Sequence, residues 1–173
     1  MRRFLSLFAC VVAIGGSALA GVSAHADDGD TDVAYCPPGS VNGSGNWTPP
    51  QSTVMSPHQI DWETVAQCIG SGDETGPYVI DFTGTSTENC VAGSGGGSLN
   101  GTGPEGPIFG TFTFNRGGIH LYISGTFTSG GEEHMLQYWL DVKTIDNVCT
   151  YSNAPLIGHG VIADWTTGPP PVI

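Results

Sequence analysis

Four side chains between positions 120 and 141 carry groups that bind neutral polar ligands. His120 and Tyr122 are two residues apart, as are Trp139 and Asp141, so each pair lies on one face of an extended strand. Aromatic rings offer rigid apolar area, while an imidazole and a carboxylate orient a ligand through hydrogen bonds. These residues predict a binding face for a ligand such as a sugar. The alternative is a solvated face whose cross-strand pairs support the sheet.

Catalytic motifs find little support in the sequence. Ser124, His120 and Asp141 have the residue types of a triad, but four residues of strand separate Ser124 from His120 by about 13 Å, beyond hydrogen-bond reach. A glycosidase needs two carboxylates about 5–10 Å apart, and nothing in the sequence orients such a pair. We therefore predict no catalytic residue and keep a small secreted hydrolase, using carboxylates or His120, as an alternative function.

The sequence also predicts no metal site and no cofactor. The histidines that follow the N-terminal region show neither H-x-H nor H-E-x-x-H spacing, and they are His58, His120, His134 and His159. The cysteines form no C-x-x-C pair. The Gly-rich run 93–97 predicts a flexible loop and not a phosphate-binding loop, since no P-loop lysine follows it.

The stretch from 108 to 142 must position the four candidate residues. Its alternation and Gly-rich turns predict three strands, at 108–114, 119–128 and 133–142. The second turn aligns Leu121 with Leu140, and the first aligns Phe114 with Ile119. Every apolar row then lies on one face, which we predict to be the core. A slip of one residue would move these side chains into solvent.

Further strand signals complete the predicted sheet, at 60–69, 78–87, 97–102 and 156–165. About seven strands without alternating helices predict an all-β fold, an antiparallel β-barrel or β-sandwich. One segment is ambiguous. Ser56 and Gln59 fit a capping box for a short helix near 57–69, whereas the alternation of Ile60 and Trp62 with polar residues favours a strand, the interpretation that we prefer.

The composition divides the chain into four parts. A positively charged start, an apolar run and an A-x-A cleavage site predict a secretory signal peptide over 1–26. Residues 27–56 are acidic and rich in Gly and Pro, and predict an irregular N-terminal segment. An antiparallel β domain is expected over 57–165, and a Pro-rich tail over 166–173.

Four cysteines follow the predicted signal peptide, an even number that predicts two disulfides in an oxidising compartment. A hairpin over 60–87 places Cys68 and Cys90 too far apart to bond. Two connectivities remain: Cys36–Cys68 with Cys90–Cys149, which we prefer, or Cys36–Cys90 with Cys68–Cys149. A helix at 57–69 would remove this restriction.

Charge restricts the partners of the protein. The formal net charge is −12 at pH 7, which argues against nucleic acid or an anionic membrane surface. No stretch after the predicted signal is long and apolar enough to span a membrane. We expect an extracellular protein, free or wall-associated, that acts as a binding or surface-interaction module for an unknown ligand. A structural or inhibitor protein without a small-molecule site is the other alternative.

Overall fold

Eight antiparallel strands form a closed barrel. The computed structural model describes residues 32–70, 74–143 and 149–164. The strands are β1 Val33–Gln51, β2 Ser56–Gly70, β3 Gly76–Glu88, β4 Ala92–Gly103, β5 Gly106–Gly117, β6 His120–Ser129, β7 Glu132–Val142 and β8 Tyr151–Asp164. Each strand pairs with the next along the chain, and β1 pairs with β8. The predicted all-β antiparallel class is confirmed, and of the two predicted architectures, barrel and sandwich, the structure is the barrel, with eight strands in place of about seven.

Side chains from all eight strands fill the barrel interior. Strand alternation directs these side chains inward, and it is clearest in β2, whose residues alternate between buried and exposed from His58 to Cys68. The helix considered near 57–69 is therefore absent. Near the centre, the rings of Trp62 and Phe114 lie 4.8 Å apart. Burying one such ring stabilises the fold by about 1.5–3 kcal/mol, so the interior is the hydrophobic core.

The second hairpin of the central meander has the predicted register. Leu121 pairs with Leu140, and Tyr122 pairs with Trp139. The turn between β6 and β7 is Gly130-Gly131, and both glycines have positive φ, 59° and 98°. Two adjacent residues with positive φ give a turn whose twist matches the flanking strands.

The predicted register of the first hairpin is wrong by four residues. Strand β5 continues to Gly117, so Phe114 pairs with Ile123 and not with Ile119. The turn is Gly118-Ile119, and Gly118 has a φ of 63°. Ile119 is 46% exposed rather than in the core. The register error is an even number of residues. All side chains of the hairpin except Ile119 therefore keep the face that we predicted.

Most of the segment predicted as irregular, residues 27–56, is in fact strand β1. This strand pairs with β2 on one side and β8 on the other, so long-range pairing supplies the order that its Gly- and Pro-rich composition hides. Trp47 anchors it in the core with 1% exposure. The register shifts between Cys36 and Val41, where a bulge accommodates two prolines that lack a backbone N–H.

The Gly-rich run 93–97 is part of β4 and not a flexible loop. Strand β4 pairs with both β3 and β5 along this run. A Cβ at Gly95 would lie 2.6 Å from Cε1 of Phe114, and one at Gly103 would lie 2.9 Å from Cε1 of Tyr78. The glycines therefore leave interior space for rings from neighbouring strands, a recognised use of glycine within strands.

Two disulfides link the barrel with the connectivity that we preferred. Cys36 of β1 bonds to Cys68 of β2, and Cys90 bonds to Cys149. Such bonds persist in oxidising compartments and are consistent with an extracellular protein. The predicted signal peptide over 1–26 and the tail over 166–173 lie outside the described residues.

Candidate functional site

The structure brings the four candidate ligand-binding residues together on the outer face of the barrel. His120 and Tyr122 lie on β6, directly opposite Asp141 and Trp139 on β7. Their neighbours Leu121 and Leu140 point into the core instead. This placement follows from strand alternation, because successive side chains point to opposite faces of a sheet.

Three aromatic rings form a row across β6, β7 and β8. The Tyr122 and Trp139 ring centroids are 5.4 Å apart, with the planes tilted by 47°. Trp139 and His159 are also 5.4 Å apart and nearly parallel, at 10°. His159 lies directly opposite Trp139 in the β7–β8 pair. It was not among our candidate residues, although its position between two glycines sets it apart in the sequence.

Polar groups lie beside this aromatic row. His120 Nδ1 is 2.9 Å from one oxygen of Asp141, and the Lys143 ammonium donates to the other at 2.8 Å. The hydrogen bond from Lys143 is the main cause that lowers the Asp141 pKa, burial opposes it, and the contact with His120 adds to it. Asp141 is therefore a carboxylate acceptor at neutral pH, beside an imidazole that is 77% exposed.

The aromatic row and these polar groups line one groove, called here the outer groove, with a volume of about 760 Å³. Strands β6, β7 and β8 form its floor. Pro38 and Gly39 of the β1 bulge lie on one side, and residues 115–117 at the end of β5 lie on the other. The bulge residues thus border the groove, and concave surfaces are typical of ligand sites.

The residue types of a serine triad are present but do not meet. Ser124 pairs with Gln137, four residues along β6 from His120. His120 contacts Asp141 as the register predicted. The described residues of the outer groove thus offer hydrogen bonding and stacking, and Ser124 is not among them.

One end of the barrel contains a buried ion pair. Glu88 is fully buried and accepts hydrogen bonds from Trp47 Nε1 at 2.8 Å and Ser86 Oγ at 2.6 Å. Arg116 Nη1 lies 3.5 Å from its second oxygen, and the guanidinium packs over the Tyr151 ring. Both carboxylate oxygens of Glu88 therefore have a hydrogen-bonding or ionic partner. Such partners offset the free energy that burying a charge costs.

The opposite end gathers a second cluster, which we call the His134 cluster: Glu74, Glu105, His134 and Asp164. Nδ1 of the buried His134 lies 2.6 Å from Glu74 Oε1 and 3.1 Å from Asp164 Oδ1. Burial alone would lower the pKa of His134, but the hydrogen bond to Glu74 and the nearby carboxylates raise it to about 9. Burial and the charge of Glu74 raise the Asp164 pKa.

Sequence reasoning missed the His134 cluster. Its four members come from the loop before β3, the β4–β5 turn, the start of β7 and the end of β8. They meet only because the sheet closes, and no short-range spacing signals that. Three of them, Glu74, His134 and Asp164, have donor atoms within 4.8 Å of one another and are thus placed to hold a metal ion.

Within the described residues, no helix is long and apolar enough to cross a membrane. No protein-family model matches the chain, and no curated protein or solved structure matches it either. The geometry of the outer groove and of the His134 cluster is therefore the basis for any functional conclusion.

Proposed function

We propose that this protein is a secreted binding module that holds a neutral polar ligand, with a carbohydrate as the chemical class, in the outer groove. The observation that carries the proposal is the row of Tyr122, Trp139 and His159, whose rings follow one another at 5.4 Å across three strands. Neighbouring rings of this kind, one pair tilted and the other stacked, offer rigid ring surface for the apolar faces of sugar rings.

The polar surroundings support the same ligand class. Asp141 offers acceptors, Lys143 and His120 offer donors, and all three line the groove beside the rings. A few polar groups around an apolar platform are what fix the orientation of a small ligand. The strongly acidic composition disfavours anionic ligands through long-range repulsion, so among sugars the neutral ones fit better than the acidic ones.

Secretion is part of the proposal. The positively charged start, apolar run and A-x-A site of residues 1–26 support export, and the two disulfides are consistent with it. The natural ligand is then a glycan of a cell surface or of the surrounding medium.

A glycan array followed by calorimetric titration tests the proposal. We expect at least one neutral oligosaccharide to bind, and Tyr122→Ala to weaken its affinity by about tenfold or more, equivalent to the loss of roughly 1.4 kcal/mol. Phe109→Ala is the matched control, because Phe109 is an exposed ring on β5 that does not line the groove. It should leave the affinity unchanged.

The other functional classes are outcomes of the same experiment. Cleavage of a captured glycan would favour the alternative of a small hydrolase using carboxylates or His120. Binding that survives Tyr122→Ala would place the site outside the groove. An array without any hit would contradict the proposal and favour a structural or inhibitor protein.

A further inference from the structure

Three donor atoms of the His134 cluster lie close together. Two carboxylate oxygens, from Glu74 and Asp164, lie 2.6 Å and 3.1 Å from the same imidazole nitrogen, Nδ1 of His134. Donor atoms bound tetrahedrally to one ion at about 2.0–2.2 Å lie roughly 3.4 Å from one another. The two oxygens lie closer to Nδ1 than that, so shifts of less than about 1 Å would place the three atoms as ligands of one ion.

The second ring nitrogen of His134 has the contacts that are typical of a metal-binding histidine. Nε2 of His134 lies 3.3 Å from the Ser129 carbonyl oxygen and 3.4 Å from Glu105. Both are acceptors, so Nε2 carries a proton. Metal-binding histidines almost always donate their second N–H to a carbonyl or carboxylate in this way. Nδ1 faces two carboxylate oxygens and also carries a proton when no cation is bound, so it binds a cation only by releasing that proton.

Glu74 and the imidazole ring are fixed in place as well. The Tyr78 hydroxyl donates to Glu74 Oε2 at 2.6 Å, which leaves Oε1 facing His134. The His134 ring stacks on Phe127 with centroids 5.0 Å apart. Tyr78 and Phe127 are both buried, so the two ligands are held by the packed core and not by mobile surface groups.

The His134 cluster is negatively charged and is open to solvent on one side. Three carboxyl groups surround one imidazole, so the cluster stays negatively charged even when His134 is protonated, and a cation would offset that charge. Glu74 and His134 are almost fully buried, whereas the side chain of Asp164 is 32% exposed. Solvent therefore reaches the site at Asp164, which gives an ion an entry path.

We propose that Glu74, His134 and Asp164 bind a divalent transition-metal ion, with Zn²⁺ as the best match to their donors. One imidazole nitrogen with two carboxylate oxygens suits Zn²⁺, whereas Ca²⁺ and Mg²⁺ are bound by oxygen ligands alone. The metal bond to Nδ1 replaces the proton there, and that proton leaves to solvent. The ion links Glu74, just before β3, to strands β7 and β8, which lie across the barrel from β3.

The test is a Zn²⁺ titration of the protein produced without a histidine tag. We expect one saturable site, and His134→Gln should weaken it by at least about 100-fold, since even outer contacts of metal ligands are worth 10–100-fold. His120→Asn is the matched control, because His120 also contacts an aspartate but lies on the exposed outer face. It should leave the affinity unchanged.

A second readout works on the native sequence and does not depend on how the variant folds. In ¹⁵N spectra of the histidine rings, Zn²⁺ should shift Nδ1 of His134 strongly and leave the His120 and His159 rings unchanged. A parallel titration with Ca²⁺ should show binding at least about 100-fold weaker than that of Zn²⁺. Absence of saturable Zn²⁺ binding below about 1 mM, or Zn²⁺ shifts confined to other histidines, would overturn the proposal.

Discussion

Adjacent residues on β6 have opposite environments, and this alternation underlies the interpretation of the outer groove. Leu121 is 1% exposed and pairs with Leu140 in the core, whereas Tyr122 is half-buried against Trp139 on the outside. The same strand thus supplies packing energy with one set of side chains and a binding surface with the other.

The first prediction compares these two neighbours. Leu121→Ala should lower the free energy of unfolding by about 2–5 kcal/mol, because it removes buried methyl groups and leaves a cavity. Tyr122→Ala should lower it by clearly less, since the outer ring loses only part of its packing. Urea denaturation of both variants measures the difference. Equal, large losses would show that the outer face is covered and would argue against an open groove.

The buried ion pair gives the second prediction. Arg116→Met should destabilise the fold by about 3–5 kcal/mol, because Glu88 is fully buried and would lose its counter-charge. The double variant with Glu88→Gln should recover part of this loss, since the uncompensated charge is then gone. A double-mutant cycle by chemical denaturation measures the coupling. Purely additive effects would mean that the pair contributes nothing.

The third prediction concerns the pH dependence of Asp141. Its pKa is lowered mainly by the hydrogen bond from Lys143 and further by His120. A carboxyl group with a lowered pKa stabilises the fold above its ordinary pKa, and that contribution disappears as the pH falls through the folded value. Carboxyl ¹³C titration should therefore show a pKa below the ordinary one in the native protein, rising toward it in Lys143→Gln. An unchanged value in that variant would contradict this cause.

At the level of elements, hairpins with clear turn chemistry were predictable and long-range partners were not. The β6–β7 register follows from the Gly130-Gly131 turn and the apolar alternation around it. The turn between β5 and β6 was misplaced because Gly117 and Gly118 are equally suited to a turn. Strand β1 was missed because its order comes from pairing with β2 and β8, which composition does not reveal.

The glycines of β4 give the fourth prediction. Gly95→Ala should destabilise the barrel by about 1–3 kcal/mol, because the added Cβ would lie 2.6 Å from Phe114 in a filled interior. Gly117→Ala is the control, since a Cβ there meets nothing within 4 Å, and it should change stability by no more than about 0.5 kcal/mol. Thermal unfolding compares the two. A neutral Gly95→Ala would show that the core has spare room there.

At the level of the whole molecule, barrel closure creates both sites. The four residues of the outer groove predicted from sequence lie on two strands joined by one tight turn, so local register sufficed to bring them together. His159 and the β1 bulge join them only because β8 pairs with both β7 and β1. The His134 cluster depends on closure even more, since its members come from four separate parts of the chain.

The central claim is that the outer groove, and not the barrel interior, is the ligand site. The most direct measurement is the indole N–H region of an ¹H–¹⁵N spectrum during titration with a neutral oligosaccharide selected by the array. The Trp139 signal should move, because its ring lines the groove. The signals of Trp47 and Trp62, which are buried in the core, should stay in place. Shifts confined to Trp47 and Trp62, with Trp139 unchanged at saturation, would contradict the account.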